Sequence, residues 1–141
     1  VVVVHDAARA LVTPELVSEA IRALLDSQAD AVVAAAPVTD TIKQADARRD
    51  GPAGTTLRVF ATIDRSTLWA VQTPQVFRRT ALERALEGPR ERLAAATDDS
   101  WLVEQDGGTV TLLPASPENF KITTPLDLRL AGLLLAQRGA G

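Results

Sequence analysis

The chain has 141 residues, 46% of them hydrophobic, with no Cys, a single His and a formal net charge of −3. That length suffices for one domain with a proper core, and the apolar share excludes a disordered chain. The lack of Cys excludes disulfides, thiolate catalysis and Cys-zinc sites, and the acidic balance argues against a general nucleic-acid surface. No apolar run reaches the length of a membrane span, and the lack of Cys is compatible with the expected setting, the cytoplasm.

The chain opens on Val1-Val2-Val3-Val4, a β-branched run that suits a strand buried on both faces, as in a parallel sheet. His5-Asp6-Ala7-Ala8-Arg9 follows. Ligands of open α/β sheets bind beyond the carboxyl ends of the strands, which puts Asp6 and Arg9 where chemistry is usually placed. The spacing equally suits a capping Asp6 and a solvated Arg9. Thr13-Pro14 opens a helix, with Thr as N-cap and Pro at N1. Its buried face is expected at Leu16, Val17, Ala20, Ile21, Leu24 and Leu25. Ala31 to Ala36 reads as a second buried strand ended by Pro37, which makes a right-handed βαβ unit. The fold class is therefore α/β. Because the chain begins within a strand, residues 1–141 are read as one domain, incomplete at its N-terminus.

Thr39-Asp40-Thr41-Ile42-Lys43 lies just past that strand. Gln44 to Thr56 is polar, holds Gly51, Pro52 and Gly54, and reads as a loop or hairpin tip. Alternation from Leu57 to Ile63 marks a returning strand. The segment Val38 to Arg65 thus looks like a projecting two-stranded arm, too thin to bury a core of its own and expected to pack on a second subunit. Leu68-Trp69-Ala70-Val71 is a further short strand, followed by Gln72-Thr73-Pro74-Gln75. A helical face is expected at Phe77, Ala81, Leu82, Ala85 and Leu86, stopping at Gly88-Pro89. Thr97-Asp98-Asp99-Ser100 is a helix start with acids in the first turn, and Gly107-Gly108 ends that helix. Thr109 to Leu113 is a strand, Asn119 to Thr123 a strand-to-helix connection, and Thr124-Pro125 opens a closing helix from Leu126 to Ala136. Its Leu133-Leu134-Leu135 is expected in the core.

Elimination narrows the chemistry. A lone His beside a strand is more often a packed or hydrogen-bonded residue than a catalyst, and transition-metal sites need more ligands. No G-x-S-x-G, Walker A or G-x-G-x-x-G pattern occurs. What remains is polar residues at strand ends: Asp6, Arg9, Thr41, Arg65, Thr73 and Lys121. Three cations and two hydroxyls suit phosphate oxygens, although each cation taken singly reads as a surface charge. One carboxylate beside phosphates implies Mg2+, with Asp6 as its protein ligand. The pattern fits transfer between phosphate esters.

His5-Asp6-Ala7-Ala8-Arg9, Asp40-Thr41-Ile42-Lys43, Asp64-Arg65, Gln72-Thr73-Pro74-Gln75, Thr97-Asp98-Asp99 and Asn119-Phe120-Lys121-Ile122-Thr123 occur in this order. Together they resemble the 2-C-methyl-D-erythritol 4-phosphate cytidylyltransferase family of the non-mevalonate route to isoprenoids. The resemblance implies a Rossmann-like nucleotidyltransferase sheet and a reaction joining CTP to the polyol phosphate, with release of pyrophosphate and a need for Mg2+. It implies that Asp6 lies at the metal and polyol end of the site, and that Arg9, Thr41, Arg65 and Thr73 hold the polyol phosphate. Arg65 and Lys121 would be the catalytic pair that positions it for attack. It also implies a homodimer through the arm 38–65, with Arg65 serving the neighbour's site. The family's glycine-rich nucleotide loop is absent before Val1, and a separate chain could carry it. Trp101 stands where the family usually has a small residue, and the arm tip, Ala45 to Thr56, looks long. Two other readings stand beside this one: a cytidylyltransferase for another polyol phosphate such as ribitol 5-phosphate, and a non-catalytic dimerisation module.

Overall fold

The computed structural model describes residues 1–50 and 56–139, and side chains within 47–50 are not described. The chain divides into two compact units, Val1–Ala36 with Val71–Gly141, and Pro37–Ala70. In chain order the elements are β1 (Val2–Val4), α1 (Pro14–Asp26), β2 (Ala31–Pro37), β3 (Ile42–Asp50), β4 (Thr56–Ile63), a 3-10 turn (Arg65–Thr67) and β5 (Trp69–Phe77). Then come α2 (Arg79–Leu86), α3 (Arg90–Ala95), α4 (Asp99–Gln105), β6 (Val110–Pro114) and α5 (Pro125–Arg138).

The first unit is built on a sheet of order β1-β5-β2-β6. β2 and β6 pair in parallel, Val32 opposite Thr111, and β1 pairs antiparallel with β5, Val3 opposite Val76. The mixed α/β class expected from the sequence is what forms. β2 is buried along Ala31–Ala36, as an apolar run inside a sheet covered on both faces should be. Its alternate residues face different layers. Val32 and Val76 pack with Ala20 and Leu24 of α1, while Ala31 and Phe77 pack with Leu82, Ala85, Leu102 and Val103 of α2 and α4. Trp101 packs against this second cluster. Thr13 caps α1 by accepting from the Leu16 N–H, and Thr124 and Asp127 form a capping box on α5. Gly107, at φ +80°, ends α4.

Several local expectations are corrected. The opening valines do not form a doubly buried parallel strand. Among the described residues β1 stands at one end of the strand order and pairs antiparallel with β5, with Val1 and Val3 exposed. β5 lies between β1 and β2, so the first two strands are not adjacent. β5 continues through Gln72-Thr73-Pro74-Gln75, because Gln72, Thr73 and Gln75, all buried, find partners outside the strand. Phe77 therefore ends that strand and is fully buried in the core, not on a helix. Leu25 and Leu86 are exposed on their helices. α3 was not expected; neither of its flanks carries a side-chain cap to announce it. Leu133 and Leu135 are exposed, as are Leu126, Leu128 and Leu130, so α5 buries only Ala131.

The second unit is an antiparallel ribbon of β3 and β4, Ile42 opposite Ile63 and Lys43 opposite Thr62. The two-stranded arm is thus present, but Gln44 to Asp50 is strand and not loop. Polar sequence hides it because its register is irregular between Gln44 and Arg49. The glycines and proline of the expected tip fall within 51–55, outside the described residues.

Candidate active site

The sharp turn after β1 is made by the Arg9 N–H donating to the Asp6 carbonyl at 2.9 Å. It is fastened to β5: the Asp6 N–H donates to Thr73 Oγ1 at 3.0 Å. His5 Nδ1 lies 2.8 Å from the same hydroxyl, and His5 Nε2 lies 3.2 Å from the Arg9 carbonyl oxygen. The connection after β6 is tied in as well. The Ile122 N–H donates to the Ala8 carbonyl at 2.8 Å. Asn119 Nδ2 donates to Gln72 Oε1 and to the Thr73 carbonyl, at 2.9 and 2.8 Å. Three separate stretches of chain are thereby held at one end of the sheet.

Their charged groups converge there. Lys121 Nζ stands 3.1 Å from Asp6 Oδ2, and Arg9 Nε stands 3.8 Å from the same oxygen. The Asp6 and Lys121 side chains are 40% and 48% exposed, so this pair adds no more than about 1 kcal/mol to stability. A group that contributes so little to the fold can exchange Asp6 for another anion at small cost. Arg9 differs. Its side chain is 12% exposed, and it donates to the carbonyls of Asn119 and Val71 at 2.8 and 3.2 Å. Burial lowers its pKa and Asp6 works against that. Arg9 braces the site as well as charging it.

A cavity of about 710 Å3 opens beside these groups and is lined by Asp6, Arg9, Thr73 and Lys121. The structure therefore brings four of the six expected site residues together. Thr41 and Arg65 belong to the ribbon unit. Thr41 is exposed, and the Arg65 guanidinium donates to the Thr39 carbonyl. Gln75, Asp98 and Asp99, which belong to the motifs of the resemblance but carry no expected site role, also line the cavity. Asp98 caps α4 by accepting from the Trp101 N–H at 2.8 Å, and Gln75 Nε2 donates to it at 2.9 Å. Burial pushes the Asp99 carboxyl above its ordinary pKa, and the adjacent Asp98 adds to the effect. The signal was Gln75 and Asp98 as candidate partners, but 23 residues separate them. Among the described residues no cluster of three or more His, Cys, Asp or Glu could hold a metal, and no helix is long and apolar enough to cross a membrane.

The first unit is a mixed α/β sheet with acid, cations and cavity at one end, and its similarity to solved structures makes the fold a Rossmann-like nucleotidyltransferase fold. The Thermus thermophilus 2-C-methyl-D-erythritol 4-phosphate cytidylyltransferase structure is 34% identical, with a TM-score of 0.75, over 94% of this chain and 60% of its own. The Francisella tularensis structure of the same name is 29% identical, with a TM-score of 0.78, over 93% of this chain and 57% of its own. A Rubrobacter xylanophilus relative, also so named, is 47% identical over 135 residues, 96% of this chain and 54% of the relative. The model of the 2-C-methyl-D-erythritol 4-phosphate cytidylyltransferase family matches residues 1–137, and the chain belongs to that family. It spans about half the length of the curated relatives it matches.

Proposed function

We propose that this chain carries the polyol-phosphate half of a 2-C-methyl-D-erythritol 4-phosphate cytidylyltransferase. The observation that supports the reading most is the Asp6–Lys121 pair, half-exposed at the mouth of a cavity in a chain of this family. An oxygen of the polyol's 4-phosphate attacks the α-phosphorus of CTP. The new P–O bond forms as the bond to the β-phosphate breaks, and pyrophosphate leaves. Two anions must be brought together for this, and cations offset their repulsion. Lys121 leaves Asp6 to meet the phosphates, and Arg9 supplies fixed positive charge beside them. Thr73 completes the near wall.

Mg2+ fits the donor chemistry. Asp6 is a hard carboxylate, half-exposed at the cavity, and Mg2+ needs only one or two carboxylates when phosphates and water supply the rest. Asp6 would hold the ion, whose contribution is to neutralise phosphate charge. Arg65 and Thr41, on the ribbon, complete the phosphate site of a second copy, and the chain works as a homodimer. Exposed Ile42, Leu57, Val59 and Phe60 support a ribbon that is covered by another subunit. The triphosphate cradle comes from the part of the relatives' length that this chain does not span.

The test joins this chain to the corresponding remaining part of the Rubrobacter xylanophilus relative. The joined enzyme should release pyrophosphate from CTP with 2-C-methyl-D-erythritol 4-phosphate and not with ribitol 5-phosphate, and the 141-residue chain alone should be inactive. Preference for ribitol 5-phosphate would overturn the substrate, and turnover by the chain alone would overturn the division of labour.

A further inference from the structure

We infer that His5 is a positioning residue of this site, acting through Thr73 and the Asp6–Arg9 turn; the identity of the substrate it serves rests on the cytidylyltransferase reading. Valence fixes the direction of every bond around it. A carbonyl oxygen only accepts, so the contact of His5 Nε2 with the Arg9 carbonyl at 3.2 Å requires the hydrogen on Nε2. In the neutral imidazole Nδ1 is then a bare acceptor, and the Thr73 hydroxyl, 2.8 Å away, donates to it. The Thr73 oxygen in turn accepts the Asp6 N–H at 3.0 Å, and the Arg9 N–H donates to the Asp6 carbonyl at 2.9 Å. The four bonds form a closed circuit: Asp6 to Thr73, Thr73 to His5, His5 to Arg9, and Arg9 back to Asp6.

That circuit admits one tautomer of His5 and one rotamer of Thr73. It fastens the turn carrying Asp6 and Arg9 to β5, across 67 residues of sequence. His5 itself is exposed whereas Thr73 is buried, so the imidazole is not there to fill the core. Its polar edges are what the structure uses. Without them the Thr73 hydroxyl rotates among its staggered wells, and ordering it falls to the incoming substrate. The cost appears in substrate binding more than in the chemical step, because the circuit is complete before any substrate arrives.

Two measurements need no activity. His5 is the only His in the chain, so long-range nitrogen–proton correlation of the 141-residue protein reads its tautomer directly. The Nε2–H form is expected, and the Nδ1–H form would overturn the circuit. His5→Phe keeps the ring's bulk and loses both bonds, and should speed exchange of the Asp6 amide hydrogen about tenfold; unchanged exchange would count against it. In the joined enzyme, His5→Phe should raise KM for the polyol phosphate about tenfold with a smaller change in kcat. His5→Asn, whose Oδ1 can still accept from Thr73, should stay within about threefold of the parent. In a Thr73→Val background, His5→Phe should add nothing further. A harmless Phe with a damaging Asn, or additive effects, would reduce His5 to bulk. If the parent joined enzyme is inactive, the function reading fails, and the tautomer and exchange measurements still decide the circuit.

Discussion

The two units of this chain differ in how they hold polar side chains, although both expose large apolar ones, α5 of the first unit included. In the unit built on the β1-β5-β2-β6 sheet, polar side chains are buried and partnered: Gln72, Thr73, Gln75 and Asn119 all lie inside, and each bonds to a neighbour from a distant stretch of chain. In the ribbon of β3 and β4, Leu57, Val59 and Phe60 are 54%, 51% and 61% exposed. A buried, partnered polar group is placed by the chain's own fold, because leaving it unpartnered would cost about 1–3 kcal/mol. The exposed apolar groups of the ribbon are not placed in that way; they are surface that a partner would cover. The geometry of Asp6, Arg9, Thr73 and Lys121 is therefore intrinsic to the first unit, while the role of Thr41 and Arg65 depends on what the ribbon meets.

The largest effect should come from breaking the intrinsic half. Lys121→Ala in the joined enzyme should cut turnover by about 10²–10³, the usual loss when one group facing transition-state charge is removed. Stability should change by less than about 1 kcal/mol, since the Asp6 partner is half-exposed. Pyrophosphate release and a thermal melt measure the two. A melt that collapses along with the rate would make Lys121 a strut instead.

The dependent half is tested by mixing. Asp6→Ala and Arg65→Glu should each be inactive in the joined enzyme. After subunit exchange, the mixed dimer holds one site with both residues intact if Arg65 serves the neighbour, and activity returns. If the mixture stays inactive while mass spectrometry finds heterodimers, Arg65 serves its own subunit or none.

Stability separates the units at a smaller scale. Arg78 is half-buried and donates to the carbonyls of Leu24, Ser27 and Ala29, where α1 ends and its dipole favours a cation. In the ribbon, exposed Lys43 donates to Thr62 Oγ1 at 2.6 Å. Arg78→Ala should cost about 2–3 kcal/mol in denaturant unfolding, and Lys43→Ala less than about 0.5 kcal/mol. Equal costs would erase the distinction drawn between the units.

The same distinction decides what could be read from sequence. Local chemistry marks α1 through Thr13-Pro14, α5 through Thr124-Pro125, and β2 through its unbroken apolar run. Asp6, Arg9 and Lys121 could be nominated because each lies in the connection that leads into such a helix, whereas Thr73, expected just past a strand, lies within β5. Pairing is not local. Nothing in Val1–Val4 says that β5, some 70 residues on, will be its antiparallel partner. Nor can Gln72 and Gln75 be placed inside a strand until Asn119 and Asp98 are known to satisfy them. The leucines of α5 mislead for the opposite reason: helical spacing supplies apolar faces, and exposure depends on what the fold brings against them. For His5 the sequence leaves packing and hydrogen bonding both open, because its bond to Thr73 spans 68 residues.

The smallest effect is electrostatic and has opposite signs in the two units. Asp99, beside the cavity, has its pKa raised by burial first and by Asp98 second. The folded state then holds the proton more tightly than the unfolded chain does. Its contribution falls as pH rises from the ordinary carboxylate value, about 3.9, through the higher folded value. Asp99→Asn should therefore raise the melting temperature at pH 7, with the gain vanishing in acid where both forms are neutral. The burial penalty must outweigh the favour that the start of α4 shows a negative charge, which is what the raised pKa implies. Asp64, in the ribbon, accepts from the Ser66 N–H at 3.0 Å, and that bond lowers its pKa. Its contribution is present above the ordinary carboxylate value and is lost as pH falls through the lower folded value. Carbon-detected titration of the two carboxyl groups should find Asp99 protonating first as acid is added and Asp64 last. The reverse order would mean that hydrogen bonding to Asp99, not burial, governs the cavity wall, and Asp99→Asn would then lower the melting temperature.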